Sequence, residues 1–231
     1  MKQEIISLIL HELGDGNEIQ LEKFCKRYLI PLETLKSILK DYQDYIEYHD
    51  STLRLRAKID FLLKLASRGY PVNELLRYIS WREFEDYVCN LLKKYGFNVR
   101  KKVRFKACGR RFEIDVLAVR DQIILLLECK FWRRIYSRRY SLNMAAHKHI
   151  QRAECFRNVI FRYLKEVVGN EIKIIPLIVS FYETDLNIVE DVRIPIVPVS
   201  MLRSFLIKLD SMEDYISVIR VYREGLEKFS K

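Results

Sequence analysis

Glycine is scarce in this chain: seven in 231 residues, alongside five prolines and two tryptophans. Glutamine is also sparse, while Lys, Arg and Glu are abundant. That composition points to a thermophilic source. Cysteine is limited to Cys25, Cys89, Cys108, Cys129 and Cys155, an odd and scattered set with no CxxC pair. The spacing argues against a zinc site and a disulfide framework, so a reducing, cytoplasmic setting is expected. No apolar run approaches the roughly 18 residues a membrane-spanning helix requires. The opening MKQEIISLILHELGD is too acidic, and its apolar part too short, for a signal peptide. Internal repeats and low-complexity segments are absent. Acidic residues are in deficit, 31 against 41 basic, for a net charge of +10. This favours a polyanionic partner, either nucleic acid or an acidic membrane surface. A hydrophobic content of 49% supports one large domain or a medium domain plus a small one.

Residues 2–13 place Ile5, Ile6, Ile9, Leu10 and Leu13 at helical spacing. The loop GDGNEIQ follows, then a short helix LEKFCKRY and a third helix over about 31–42, opened by Pro31. YIEYHDSTLRL alternates about a His-Asp-Ser turn and predicts a β-hairpin. Three helices and a hairpin within residues 1–57 resemble a winged helix-turn-helix. Residues 1–55 carry seven basic and ten acidic side chains, a net of −3. DNA contact by the third helix, which offers only Lys36 and Lys40, and a role as a dimer or partner surface both remain open. Residues 58–80 read as a helical connector broken near Arg68-Gly69-Tyr70-Pro71. From Trp81 to the end, the pattern predicts α-β-β-β-α-β-β and two closing helices. The helix WREFEDYVCNLLKKYGF ends at Gly96. Strands follow at about 98–106, 112–119 and 123–130, then a helix over about 143–167 and the strands IKIIPLIVSF and IPIVPVS. The fold class is α/β, a mixed sheet flanked by helices.

Two of those strands, FEIDVLAVRDQIILLLECKFW, hold charges inside apolar runs: Glu113, Asp115, Glu128 and Lys130. A buried charge is costly unless paired or bound to a metal. Alternation puts Glu113 and Asp115 on one face, and Glu128 and Lys130 on one face, with Cys129 turned into apolar packing. The tight turn at Arg120-Asp121-Gln122 pairs the strands antiparallel, so Asp115 falls opposite 127–129, beside Glu128. Adjacent carboxylates repel unless a cation lies between them. Oxygen ligands of this kind suit Mg²⁺, with Mn²⁺ as a substitute, and Lys130 can orient a water or offset charge on a phosphate.

Asp115, a tight turn and Glu128-Cys129-Lys130 on adjacent apolar strands resemble the PD-(D/E)xK nuclease superfamily, which has a restriction-endonuclease-like fold. Ile114 stands where proline is frequent. The phrase EIDVLA…LLLECK resembles the Mrr-like and archaeal Holliday-junction-resolvase-like branches, over about residues 81–200. The resemblance implies Mg²⁺-dependent cleavage of DNA to 5′-phosphate and 3′-hydroxyl ends. It implies a cation held by Asp115 and Glu128, with the Cys129 carbonyl as a further ligand and Lys130 acting on the attacking water. Such nucleases often carry a carboxylate on the first helix. Glu85, on the flank of the Phe84, Val88, Leu91, Leu92 and Tyr95 stripe, fits that place and would help hold the metal. Glu113 reads either as a nearby support or as a partner of Arg110 or Arg111.

Positive charge clusters around these residues. Arg100 to Arg139 contains thirteen Lys or Arg and four Asp or Glu, a net of +9. RKKVRFKACGRR supplies Arg104, Lys106, Arg110 and Arg111. KFWRRIYSRRY supplies Trp132, Arg133, Arg134, Arg138 and Arg139, with Tyr136 and Tyr140 interleaved for stacking. His147, Lys148, Gln151 and Arg152 on the next helix are further candidates to approach phosphates, the histidines reading as surface residues. The expected partner is duplex or branched DNA, not a membrane, and the expected assembly is a homodimer. The function reads as a DNA endonuclease. A homodimeric junction resolvase and a catalytically inactive DNA-binding or scaffolding protein stand as the alternatives.

Overall fold

The computed structural model describes residues 2–14, 18–131, 138–164, 170–181 and 188–222, with the backbone alone at Asn73, Arg138 and Arg139. The chain divides into two compact units, Met1–Ser80 and Trp81–Lys231.

In the first unit, α1 (Lys2–Leu13) buries the five apolar residues its spacing singled out. Then come α2 (Leu21–Tyr28) and α3 (Leu32–Leu39), the latter preceded by Pro31 in extended conformation. A left-handed Leu29, φ 52°, turns the chain between them. β2 (Ile46–His49) and β3 (Thr52–Leu55) form the expected hairpin, with Asp50 left-handed at its turn. The reading of GDGNEIQ as loop throughout is corrected at its end. Glu18–Gln20 forms a strand, β1, that pairs antiparallel with β3 and buries Ile19. Three residues are too few for alternation to register in the sequence. α4 (Lys58–Ser67) and the single turn α5 (Val72–Leu75) complete this unit.

The second unit opens with α6 (Trp81–Lys94), which buries Phe84, Val88, Leu91 and Leu92. Its end is a paired hydrogen-bond cap: Gly96 N–H reaches the Lys93 carbonyl and Phe97 N–H reaches the Leu92 carbonyl. Gly96 stands at φ 81°, a conformation costly to any residue with a Cβ.

Seven strands form one mixed sheet: β4 (Asn98–Ala107), β5 (Arg110–Arg120), β6 (Ile123–Lys130), β7 (Glu171–Ser180), β8 (Ile188–Val189), β9 (Ile194–Pro198) and β10 (Ile219–Tyr222). The spatial order is β4-β5-β6-β7-β9-β8. β4 pairs antiparallel with β5 and β5 with β6, the chain passing from β5 into β6 through Asp121-Gln122 with Asp121 at φ 53°. β6, β7 and β9 run parallel. Parallel neighbours need a crossover, and α7 (Arg138–Arg157) lies on the connection from β6 to β7. Strands β6 and β7 read as nearly continuous apolar runs because helices cover both faces of such a sheet. On one face Ala153, Phe156 and Ile160 pack against Leu117, Val119, Ile124, Leu126, Ile172 and Ile174.

Three expectations for this unit are corrected. The helix predicted over about 143–167 starts earlier, at Arg138, and ends at Arg157. A separate turn, α8 (Ile160–Tyr163), follows it. Among the described residues one of the two closing helices is present, α9 (Val199–Ile207), and Ile219–Tyr222 adds an antiparallel strand to β7 where helix was expected; residues 223–231 lie outside the described residues. Cys108, in the β4–β5 turn, is disulfide-bonded to Cys155 of α7, with Cα atoms 5.8 Å apart. The pair is 47 residues apart in sequence, so only the fold brings it together. Cys25, Cys89 and Cys129 are free. Among the described residues no helix is long and apolar enough to cross a membrane.

Candidate active site

The sheet is irregular at Asp115. β4 pairs with β5 on both sides of this residue, at Lys101↔Val116 and Val103↔Ile114, but not at Lys102↔Asp115. Lys102 stands there at φ 52°. On the other flank the β5–β6 ladder stops at Val116↔Leu127, one step before Asp115 would meet Glu128. Ile114 and Leu117, three residues apart, lie in the same core cluster, which strict alternation forbids. The strand therefore changes phase at Asp115–Val116 while the β4–β5 register stays the same on both sides, a kink that leaves one residue unpaired on each strand, Lys102 and Asp115. Freed from both ladders, Asp115 turns its carboxylate to the main chain of β6. Its Oδ2 accepts the Cys129 N–H at 2.8 Å. Burial, followed by the negative charge of Glu128, raises the Asp115 carboxyl from 3.8 to about 6 against the help of that bond.

Glu128 and Lys130 end β6, at the carboxyl edge of a parallel strand pair, where open α/β sheets place ligands. Glu128 Oε1 accepts from Lys130 Nζ at 2.6 Å, and its Oε2 accepts from Arg152 Nη1 of α7. Burial alone would raise this carboxyl. The Lys130 ammonium and Arg152 guanidinium outweigh it and hold the group at about 2. Two carboxylates at facing positions of neighbouring strands are thus driven in opposite directions, a division typical of functional sites.

The expectation that both histidines of α7 lie at the surface is corrected for His149, which is fully buried. Its Nε2 lies 2.8 Å from the Leu126 carbonyl, and its Nδ1 lies 3.4 Å from Arg152 Nη1. Burial pulls its pKa down to about 4, so the ring is neutral at pH 7. His147 pairs with Asp191 at 2.9 Å, and Gln151 points to solvent.

Glu85 is 3% exposed on α6, where its carboxylate accepts from the Trp81 indole N–H. Its charge is felt by Asp115. Asp86, one residue on, leaves the site altogether and pairs with Lys101. Phe84, Phe131 and Phe181 pack at 5.6–5.7 Å between ring centres, with Trp81 6.4 Å from Phe131. This aromatic cluster fixes the end of β6 against α6. Glu113 pairs with neither Arg110 nor Arg111. Its cross-strand partner Arg104 takes it at 2.6 Å, because register rather than chain proximity decides which side chains meet.

The donor set can be weighed against a cation. Among the described residues, no group of three or more His, Cys, Asp or Glu stands close enough to hold a metal ion. The expected set of Glu85, Asp115 and Glu128 is therefore not assembled as a three-carboxylate nest. A pair remains, with oxygen donors only and mutual repulsion to relieve. That fits a hard divalent ion such as Mg²⁺, which keeps several waters and takes one or two carboxylates.

Of the expected DNA contacts, Arg104, Lys106, Arg110 and Arg111 are exposed along the β4–β5 hairpin. Arg104, Lys106 and Arg111 border an open groove of about 510 Å³ whose other walls include Phe105, Phe112 and Tyr163. Trp132, Arg133, Arg134 and Tyr136 lie outside the described residues. Arg138 and Arg139 open α7, where the backbone alone is described.

Residues 76–154 match a family model described as a restriction endonuclease, the Mrr catalytic domain. The match spans Glu85, Asp115, Glu128, Lys130, His149 and Arg152. An uncharacterised protein of Archaeoglobus fulgidus is 30% identical over 129 residues, 56% of this chain and 91% of that protein. Two solved structures are also similar. The restriction endonuclease FokI matches with a TM-score of 0.38 and 13% identity, over 98% of this chain and 45% of its own. The small subunit of the heterodimeric restriction endonuclease R.BspD6I matches with a TM-score of 0.36 and 12% identity, over 74% of this chain and 84% of its own. The present chain thus spans less than half the length of FokI. Over residues 76–154 the chain carries a restriction endonuclease domain of the Mrr catalytic type, one of the PD-(D/E)xK nucleases.

Proposed function

We propose that the protein is a Mg²⁺-dependent DNA endonuclease that hydrolyses phosphodiester bonds to 5′-phosphate and 3′-hydroxyl ends. The observation that carries this reading is the break in both ladders at Asp115, which leaves a carboxylate outside the sheet pairing beside Glu128 and Lys130. Asp115 keeps Oδ2 on the Cys129 N–H, so Oδ1 is the oxygen it offers to a cation. Glu128 offers the second carboxylate. A bound Mg²⁺ supplies an activated water and charge to offset the phosphate. Lys130, one pleat beyond Glu128, directs that water at phosphorus or steadies the phosphate oxygens as charge builds. Glu85 and its Trp81 bond brace the α6 side of the site. Water attacking phosphorus with the 3′ oxygen leaving gives the stated ends.

The test is a cleavage panel of linear, branched and single-stranded DNA, with Mg²⁺ and with chelator. Metal-dependent cutting of duplex is expected, and preference for a junction would move the reading to a resolvase. The described residues hold one such site per chain, so double-strand cuts should depend on a homodimer and rise steeply with protein concentration. Lys130→Ala should cut poorly at any Mg²⁺ level, because lysine acts on water or phosphate rather than on the metal. An absence of cutting on every substrate with Mg²⁺ or Mn²⁺ overturns the proposal.

DNA is held, in this reading, by the basic hairpin. Affinity should fall steeply with salt as counterions are released. Replacing Arg104, Lys106 and Arg111 together should flatten the log–log slope by up to about three units. The matching set Arg133, Arg134, Arg138 and Arg139 should flatten it by up to about four. Fluorescence anisotropy at a series of salt concentrations measures this, and an unchanged slope in both would place the DNA elsewhere.

A further inference from the structure

Both oxygens of Glu128 are held by cations, and the two cations come from different layers. Lys130 shares its strand, and Arg152 reaches down from α7. All three side chains are less than one-fifth exposed. Arg152 is itself aimed. The Leu126 carbonyl can only accept, so His149 Nε2 carries the ring proton and Nδ1 presents a lone pair to Arg152. A fully buried imidazole with both nitrogens assigned in this way acts as a bracket for the guanidinium. The charges nearby are Glu85, Asp115 and Glu128 against Lys130 and Arg152, three negative and two positive. A single divalent cation would overcompensate that balance unless a resident positive charge moved away.

We propose that Arg152 is a positioning residue that stands in for a divalent cation at Glu128, neutralising and aiming the carboxylate in the metal-free protein and withdrawing from it when a cation binds. His149 sets the direction to which Arg152 returns. The inference rests on the reading of this site as one that takes a divalent ion. It differs from a fixed salt bridge, which would persist in both states. It also differs from a pure phosphate contact, which would leave the melting gap of the variant the same in chelator and in Mn²⁺.

The experiment uses the full chain without DNA. Wild type, Arg152→Met, Arg152→Lys and Arg157→Ala are titrated with Mn²⁺ by electron paramagnetic resonance. Each is also melted in chelator and in saturating Mn²⁺. Arg157, which pairs with Glu154 on the exposed side of the same helix, is the control. Arg152→Met should bind Mn²⁺ roughly tenfold tighter, the effect of a unit charge about 6 Å from a divalent ion at water-like screening. It should melt below wild type in chelator, and the gap should largely close in Mn²⁺. Arg152→Lys should fall between, and Arg157→Ala should match wild type. Should Arg152→Met fail to fold, His149→Gln supplies the same comparison. It keeps a donor for the Leu126 carbonyl but loosens Arg152, and is expected to tighten Mn²⁺ a few-fold. Equal or weaker Mn²⁺ affinity, or a melting gap of the same size in both buffers, overturns the role of Arg152 alone. No Mn²⁺ binding by any of the proteins overturns the metal reading of the site, and this inference with it.

Discussion

Asp115→Asn is expected to abolish cleavage while making the metal-free protein more stable at neutral pH. The amide keeps an oxygen for the Cys129 N–H and removes a charge that the fold does not welcome. Asp115 is raised from 3.8 to about 6, first by burial and then by Glu128. A carboxyl raised in the folded state favours folding below its unfolded value and loses that contribution as pH rises through the folded one. The penalty is therefore complete above about pH 6, where a rise from 3.8 to about 6 corresponds to about 2–3 kcal/mol. The variant should melt roughly 5 °C higher than wild type in chelator at pH 8. The gap should shrink as pH falls toward 4. His149 drives the opposite slope, since a lowered histidine loses its contribution as pH falls from 6.5 through about 4. That slope is common to both proteins and cancels in the difference. Cleavage should drop by roughly 10³ or more, the scale on which removing one preorganised charge-stabilising group acts. A variant that cuts at the wild-type rate, or melts lower than wild type at pH 8, refutes the assignment of Asp115.

Glu128→Ala should lose cleavage to the same extent and move stability the other way. Glu128 is held at about 2 by Lys130 and Arg152, so its contribution is present above pH 4.5 and lost as pH falls through 2. Deleting it removes the shared carboxylate from two cations that are each less than one-fifth exposed. Breaking a buried pair in this way costs about 3–5 kcal/mol. Chemical denaturation in chelator at pH 7 gives the number. The two carboxylates, equivalent in the proposed chemistry, are thus expected to differ in the sign of their effect on the fold. Equal signs would mean that the cations of Lys130 and Arg152 do not separate Glu128 from Asp115 as described.

Much of this site was legible because strands announce misplaced charge. Asp115, Glu128 and Lys130 interrupt runs of Ile, Leu and Val, and nothing in sheet packing accounts for them. The turn at Asp121-Gln122 then sets their register by counting. Glu85 was legible from helical phase. The break in the ladders was not, since Lys102 adopts its left-handed conformation with no glycine to mark the place. His149 was missed by one residue of rotation. The buried stripe of α7 and α8 runs Leu142, Ala146, His149, Ala153, Phe156 and Ile160, at intervals of four and three. Ile150, next in sequence and more hydrophobic, masks that stripe, and Arg152 then reads as a cation free to approach phosphate rather than as a partner of Glu128. β10 escaped because four residues, with Ile219 and Val221 inward, are outweighed by the charged, helix-favouring residues around them. The disulfide lay beyond any spacing rule.

That disulfide also draws a boundary. Asp115, Glu128, Lys130, His149 and Arg152 all lie between Cys108 and Cys155. The bond therefore closes a covalent ring whose circumference carries every charged group proposed to act directly in the chemistry, with Glu85 alone outside it. Unfolding the oxidised chain would open the sheet but could not disperse these residues along an extended polymer. They would remain strung on one small hoop, and refolding would begin with the longest separations among them already cut short.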